Sequence, residues 1–231
     1  MDLPEIDRRT TVFSLIALSS GTVSAGCFSR FREPESDVTI ETELEDGESV
    51  SVDGVSFGSD DAPCGIVFVP QINMDRTSWT SQAEALTGDD RFGLAIDPEE
   101  NRSEAIRGAL EYLRTTVGVE HAVLIGASIG GEAAVVAAAA TGDVDGLVAL
   151  SPGGGTDHAS AVRARSLFVV AEDDDERFVE TTRTLYENAP EPTRVEVLPG
   201  DDHGQRLFET DRGDELEQWI DDLIETACDE G

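Results

Sequence analysis

A serine stands between two glycines where the sequence pattern changes from strand to helix. The apolar run at 123–125 predicts a buried strand, and the alanine-rich stretch at 132–140 predicts a helix. The turn between them reads Gly126-Ala127-Ser128-Ile129-Gly130. A serine on such a sharp turn projects alone from the end of a sheet, and the flanking glycines leave room for the bend. The pattern predicts Ser128 as a nucleophile.

An acid and a histidine follow in the order that such a serine needs. The nucleophile requires a base within hydrogen-bond reach and an acid that orients the base, and after this kind of turn the chain order is serine, acid, histidine. Asp174 and His203 each lie just past the carboxyl end of a predicted strand, which is where open sheets bind ligands. The other two histidines, His121 and His158, are expected to be solvated.

The rest of the chain alternates between strands and helices. A turn at 45–47 joins two strands into a predicted hairpin of edge strands, and the connection at 151–166 is too short for a lid domain. The predicted fold is α/β, with a mostly parallel, doubly wound sheet of about eight strands and an N-terminal antiparallel hairpin. Strands are predicted at 38–44, 49–57, 65–69, 92–96, 123–125, 145–150, 167–171 and 194–198, and helices at 78–86, 103–115, 132–140, 178–188 and 215–227.

The charge is extreme for a globular chain. Asp and Glu number 49 against 16 Lys and Arg, which gives a formal net charge of −33. Nucleic acid is excluded as a partner because its phosphate backbone would be repelled. The composition resembles that of proteins from extreme halophiles, whose acidic surfaces stay soluble in concentrated salt.

This charge predicts that folding and activity depend on salt. Repulsion among 33 net negative charges opposes the compact state at millimolar salt. At molar salt the Debye length falls to about 3 Å, so the repulsion is screened. A salt titration followed by circular dichroism is expected to show structure rising steeply towards molar salt. A fully folded, unchanged spectrum at low salt would contradict the halophilic interpretation.

The first 27 residues have the layout of an export signal. The pair Arg8 and Arg9 precedes an uncharged stretch at 10–26, and Cys27 follows small residues. The arginine pair resembles a twin-arginine (Tat) signal, and the residues before Cys27 resemble a lipobox whose cysteine receives a lipid. We therefore expect an exported lipoprotein, resembling those of haloarchaea, anchored through Cys27 to the outer face of the cell membrane. An N-terminal helix of the domain is the alternative.

The remaining cysteines leave two alternatives open. Cys64 and Cys228 can form a disulfide if the fold brings their Cα atoms within about 7 Å, or they can stay buried thiols. The chain has no CxxC and no His/Cys cluster, so neither a metal nor a cofactor is predicted.

From about Val38 to Ala227 the chain resembles the α/β-hydrolases, specifically the small lidless esterases and dienelactone-hydrolase-like enzymes. The resemblance implies that Ser128, Asp174 and His203 are catalytic. It also implies an oxyanion hole formed by the N–H of Ile129 and one N–H from the loop after the first buried strand, either Ile72 or Gln71. Four stretches carry it: the elbow at 126–131, the acid turn at 171–175, the histidine loop at 199–204, and the loop at 70–73 with Trp79 beyond it, called here the oxyanion loop.

The resemblance also implies where the acid lies. Hydrolases of this type place it on the third residue after a small residue that closes the strand, which counts from Ala171 to Asp174. Five acidic residues stand in a row here, so Asp173 and Asp175 remain alternatives if the turn is tighter or looser. The neighbours are otherwise expected to be solvated surface acids.

The expected function is that of a serine hydrolase which cleaves carboxylic ester or related acyl bonds of small substrates through an acyl-enzyme. Two alternatives are a catalytically silent binding protein with this fold and an acyltransferase that uses the same residues. The expected partner is a small-molecule acyl substrate, and membrane contact is expected through the lipid anchor only. The predicted layout is a signal peptide at 1–27, a tether at 28–37 and a hydrolase domain at 38–231.

Overall fold

A computed structural model describes residues 36–43, 47, 49–99 and 101–229. The predicted signal peptide at 1–27, the lipid attachment site Cys27 and most of the tether lie outside the described residues, so export and anchoring stay predictions. The first described strand begins at Ser36, just inside the predicted tether. Within the described ranges, every helix is too short or too polar to cross a lipid bilayer.

Eight strands form one sheet: β1 (Ser36–Glu43), β2 (Ser49–Gly58), β3 (Cys64–Val69), β4 (Arg91–Asp97), β5 (His121–Ala127), β6 (Gly146–Leu150), β7 (Arg165–Ala171) and β8 (Thr193–Leu198). Their order is β1-β2-β4-β3-β5-β6-β7-β8. β2 runs antiparallel to both of its neighbours, and all other pairs are parallel. The predicted architecture, a mostly parallel eight-stranded sheet with an N-terminal antiparallel hairpin, is confirmed.

Helices cover both faces of the sheet: α1 (Thr80–Leu86), α2 (Arg102–Tyr112), α3 (Ile129–Thr141), α4 (Glu176–Asn188) and α5 (Gly213–Asp229). The core consequently has two layers. In β3, Val67 and Val69 belong to the layer under α2 and α3, whereas Ile66 and Phe68 belong to the layer under α1 and α5. A central strand covered on both faces needs apolar residues at consecutive positions, which explains the unbroken apolar run.

The position of β2 differs from the sequence prediction. The N-terminal hairpin was expected to consist of two edge strands, but only β1 lies at the edge. β2 pairs with β1 on one side and with β4 on the other, where Asp53 lies opposite Asp97. β2 extends to Gly58, and its second half, which is buried, carries the pairing to β4. Polar and apolar residues alternate in the first half of β2, which is typical of an edge strand, so the sequence did not reveal its inner position.

A disulfide joins Cys64, at the start of β3, to Cys228 near the end of α5. Their Cα atoms are 5.8 Å apart, inside the range that a disulfide requires. The sequence left pairing and free thiols open. The choice depends on packing, because the fold lays α5 across the sheet so that its last turn reaches the beginning of β3.

Reduction of this disulfide is expected to lower thermal stability. The two cysteines are separated by 164 residues, and cross-linking so long a loop stabilises a protein by about 5 kcal/mol in the chain-entropy model. A phosphine reductant should therefore lower the Tm measured in molar salt. The double variant Cys64→Ser/Cys228→Ser is the control, since its Tm should already be low and should not respond to the reductant. An unchanged wild-type Tm after complete reduction would contradict the prediction.

Candidate active site

Ser128 lies at the sharp turn between β5 and α3. It is buried, and its backbone has φ 52° and ψ −117°. A non-glycine residue at positive φ is strained and persists only where its surroundings hold it. Here the Ser128 N–H donates to the carbonyl of Leu150, and its carbonyl accepts from the N–H groups of Glu132 and Gly153. The predicted nucleophile is thus held rigidly at the carboxyl end of the sheet.

The start of α3 lies directly against the oxyanion loop. A Cβ on Gly130 would come within 2.5 Å of the Val69 carbonyl oxygen and 2.6 Å of the Pro70 carbonyl oxygen, so only glycine permits this approach. The N–H of Ile129 belongs to the first turn of α3, where helix amides have no partner within the helix. The two backbone segments from which the oxyanion donors were predicted are therefore neighbours.

Asp174 and His203 are in direct contact. His203 Nδ1 lies 2.9 Å from Asp174 Oδ2 and 3.2 Å from Oδ1. The Asp174 side chain is 4% exposed and that of His203 is 20% exposed. An ionised carboxylate only accepts hydrogen bonds, so we assign the proton of the neutral imidazole to Nδ1. Nε2 is then left with a free electron pair, as a general base requires.

The two neighbouring aspartates lie elsewhere. Asp173 is exposed, and its N–H donates to the carbonyl of Gly200. Asp175 is also exposed and caps α4, with its carboxylate accepting from the N–H of Arg177 at 3.1 Å. Of the three candidates for the acid, only Asp174 contacts His203.

The histidine loop and the elbow touch each other. A Cβ on Gly204 would lie 3.5 Å from the Ala127 Cβ, so the chain neighbours of His203 and Ser128 are in contact. The Gly204 N–H also donates to Ser151 Oγ at the end of β6. Among the described residues, no hydrogen bond joins Ser128 Oγ to His203. In enzymes, catalytic hydrogen bonds of this kind often tighten only when substrate is bound.

Sequence reasoning missed Phe178, which packs on the His203 imidazole. The two ring centroids are 4.1 Å apart. The Arg177 guanidinium lies 4.4 Å from the centroid of the Phe178 ring. Phe178 belongs to the first turn of α4, and its place four residues after Asp174 is the signal that was available. We interpret its ring as a wall that keeps the imidazole in contact with Asp174.

A cleft of about 290 Å³ opens beside the oxyanion loop. It is lined by residues 70, 71 and 73–75, by the turn after β4 and by Arg102 at the start of α2, whereas Ser128, Asp174 and His203 are not part of its lining. Asp75 lies in its wall, where hydrogen bonds from the Thr77 hydroxyl and N–H lower the pKa of the Asp75 carboxyl. Trp79, which follows the loop, is fully buried against Phe68 at a centroid distance of 5.6 Å and anchors the chain there.

The cleft has no lid among the described residues. The connection between β6 and β7 contains one short 3₁₀ helix, Thr156–Ala161, as its length predicted. No group of three or more His, Cys, Asp or Glu side chains within the described ranges is arranged to hold a metal ion.

Within the described residues, no hydrogen bond or ion pair joins either of the other two histidines to Ser128, Asp174 or His203. His158 is exposed on the short helix Thr156–Ala161. His121 was expected to be solvated, but its side chain is only 16% exposed and its Nδ1 lies 3.6 Å from Asp145 Oδ1. His121 opens the central strand β5 at the opposite end of the sheet, where it lies opposite Cys64 of β3.

Comparisons with known proteins show which solved structures resemble this fold. No family model and no curated protein sequence matches the chain. Solved structures do match: an esterase from Pyrococcus furiosus at 12% identity and TM-score 0.69, covering 84% of this chain and 92% of that one. A dienelactone hydrolase from Anabaena variabilis matches at 18% identity and TM-score 0.65, covering 83% and 98%. A peroxisomal α/β-hydrolase from Saccharomyces cerevisiae matches at 12% identity and TM-score 0.67, covering 85% and 90%.

These similarities extend over nearly the full length of the matched structures. With the strand order described above, they show that the chain has the α/β-hydrolase fold, as its motifs predicted. At identities this low the likeness shows the fold alone, because one fold supports many unrelated functions.

Proposed function

We propose that this protein is a serine hydrolase that cleaves carboxylic ester or related acyl bonds of small substrates through an acyl-enzyme. The observation that carries the proposal is the pairing of His203 Nδ1 with the buried Asp174 carboxylate, beside the strained turn that presents Ser128. A buried carboxylate held against one imidazole nitrogen sets the tautomer and orientation that a general base needs. A catalytically silent binding protein with the same fold would not need this arrangement.

The proposed reaction begins with attack of Ser128 Oγ on the acyl carbonyl carbon. His203 Nε2 takes the serine proton, and the Asp174 carboxylate stabilises the imidazolium that forms. The bond to the leaving alcohol or thiol then breaks, and His203 returns the proton to that leaving group. Water attacks the acyl-enzyme in the same way, with His203 again as the base, and releases the carboxylic acid and free Ser128.

The negative charge on the carbonyl oxygen requires two donors. We propose the N–H of Ile129, at the start of α3, and the N–H of Ile72, in the oxyanion loop. The helix N-terminus adds a favourable dipole at that point. Donors that are fixed before the reaction stabilise the tetrahedral intermediate without reorganisation, and one such donor is worth about 10²- to 10³-fold in turnover.

The short connection between β6 and β7 favours small substrates. Among the described residues it forms no lid that could surround a long acyl chain, so little apolar surface is available for one, and short acyl esters should be preferred. Met74 and Ile72, both in the segment that follows β3, are exposed. These features support a small esterase or a dienelactone-hydrolase-like enzyme over a lipase.

The proposal is tested with a fluorophosphonate, which reacts with activated serines. We expect one covalent adduct on Ser128, identified by peptide mass spectrometry after reaction in molar salt, because His203 activates this hydroxyl. Ser128→Ala should remove the adduct. Ser166→Ala is the matched control, since Ser166 is also buried but lies at the start of β7, and it should still be labelled.

A folded wild-type protein that forms no adduct would refute the proposal and favour a silent binding protein. Labelled protein that gives only transfer products when alcohols are added, with no free acid, would identify an acyltransferase instead. Release of the free acid from nitrophenyl esters supports the hydrolase.

A further inference from the structure

Two glutamines, far apart in sequence, join the oxyanion loop to the chain just after His203. The N–H of Gln205 donates to Gln71 Oε1 at 2.9 Å, and the N–H of Gln71 donates to Gln205 Oε1 at 3.3 Å. Each side chain thus accepts from the backbone of the other residue. This reciprocal pair is called the glutamine clamp below.

The amide nitrogen of Gln205 extends the clamp to the next turn of the chain. Its Nε2 donates to the carbonyl oxygen of Ser78 at 3.2 Å and to Ser78 Oγ at 3.0 Å. Gln205 is buried, and these bonds fix which way its amide points. One side chain therefore holds both ends of the segment 71–78.

The loop that carries His203 is fixed from the opposite side as well. The Gly204 N–H donates to the hydroxyl of Ser151, which is fully buried at the end of β6. Gly204 has φ +61°, and a Cβ there would lie 2.2 Å from Gln71 Oε1. Any other residue at 204 would push Gln71 out of the clamp, so the glycine is required for the contact.

The clamp decides which amide of the oxyanion loop is available. The Gln71 N–H is occupied by Gln205 Oε1, whereas the Ile72 N–H has no hydrogen-bond partner within the described residues. Ile72 is also 59% exposed, so the residue is not buried in the core. The sequence left Gln71 and Ile72 as alternatives, and the clamp favours Ile72.

We infer that Gln205 is a positioning residue for the oxyanion hole: by occupying the Gln71 amide and tying the loop to the histidine loop, it aims the Ile72 amide at the reacting carbonyl. This inference rests on the proposed hydrolase function. Gln205 does not touch the substrate, and its effect passes through the oxyanion loop. Removal of the Gln205 side chain should destabilise the transition state more than the bound substrate, because the oxyanion exists only after attack.

The test replaces Gln205 with leucine, which is similar in volume but makes none of these bonds. With a nitrophenyl acetate substrate, kcat should fall by about 10- to 100-fold while KM changes little, since one misplaced donor costs up to about 10³-fold. The inhibition constant of a small alkylboronic acid, whose tetrahedral adduct also places an oxygen in the hole, should rise by the same factor. Gln205→Glu keeps the acceptor for the Gln71 N–H and should recover part of kcat.

Two further measurements make the result decisive. Amide hydrogen exchange, read by NMR, should be slow at Gln71 in the wild type and faster in Gln205→Leu. If Gln205→Leu does not fold, Gln71→Ala removes the bond from the Gln205 N–H at a half-exposed position and loosens the tie between the two loops. Because the N–H of residue 71 can still donate to Gln205 Oε1, kcat should fall by less than in Gln205→Leu but by more than twofold. Gln218→Leu, on the exposed side of α5, is the matched control and should leave kcat unchanged.

A folded Gln205→Leu or Gln71→Ala variant with kcat within about twofold of the wild type, or a loss confined to KM, would overturn the positioning role. Exchange does not depend on turnover, so the two proposals can fail separately. A wild type that neither hydrolyses esters nor reacts with the fluorophosphonate refutes the hydrolase, and the positioning role with it. An active wild type with an insensitive clamp refutes the positioning role alone.

Discussion

If His203 is the proposed base, His203→Ala is expected to lower turnover by about 10⁶-fold, the loss measured when the histidine of a Ser-His-Asp triad is removed. Without the imidazole the proposed base is lost, and a neutral hydroxyl is a weak nucleophile. The measurement is kcat with nitrophenyl acetate in molar salt, with circular dichroism to show that the variant is folded. The chain has three histidines, so matched controls are available.

His158→Ala should leave kcat close to that of the wild type, because His158 is exposed on the connection between β6 and β7. His121→Ala should also retain turnover and change stability instead, since this side chain is half-buried near Asp145 at the far end of the sheet. Comparable turnover in His203→Ala and His158→Ala would show that His203 is not the base.

Asp174→Ala is expected to lower kcat by about 10⁴-fold, whereas Asp173→Ala and Asp175→Ala should have small effects on turnover. The carboxylate of Asp174 holds the Nδ1–H of His203, and without it the imidazole loses its orientation and correct tautomer. Asp173 is solvated. Asp175 caps α4, so its loss should cost about 1 kcal/mol of stability and leave the chemistry intact.

The three alanine variants therefore separate the acid from its neighbours when kcat and Tm are both measured in molar salt. Asp175→Ala should lower Tm and leave kcat nearly unchanged. Asp174→Ala should lower kcat strongly and change Tm little. Near-normal turnover in Asp174→Ala together with a severe defect in Asp173→Ala or Asp175→Ala would mean that the acid turn is arranged differently. Mild defects in all three variants would show that none of these carboxylates takes part in the mechanism.

Much of the fold could be predicted from local sequence patterns. Apolar runs at β3, β5, β6 and β7 are typical of strands covered on both faces, and alternation with amphipathic helices leads to a parallel sheet. The elbow is readable for the same kind of reason, because a strand, two glycines around Ser128 and a helix are all local. The hairpin was less readable, since pairing of β2 with β4 depends on a contact between distant segments.

Ser128, Asp174 and His203 were identifiable by type and order, because each follows a predicted strand and parallel strands end at the same edge of a sheet. The sequence by itself therefore determined the fold class, the order of the candidate residues and the acidic character of the surface. Tertiary structure decided the rest: which of the consecutive aspartates meets His203, the pairing of Cys64 with Cys228, and the glutamine clamp. Each of these depends on angles and distances between segments far apart in the chain, which no local pattern encodes.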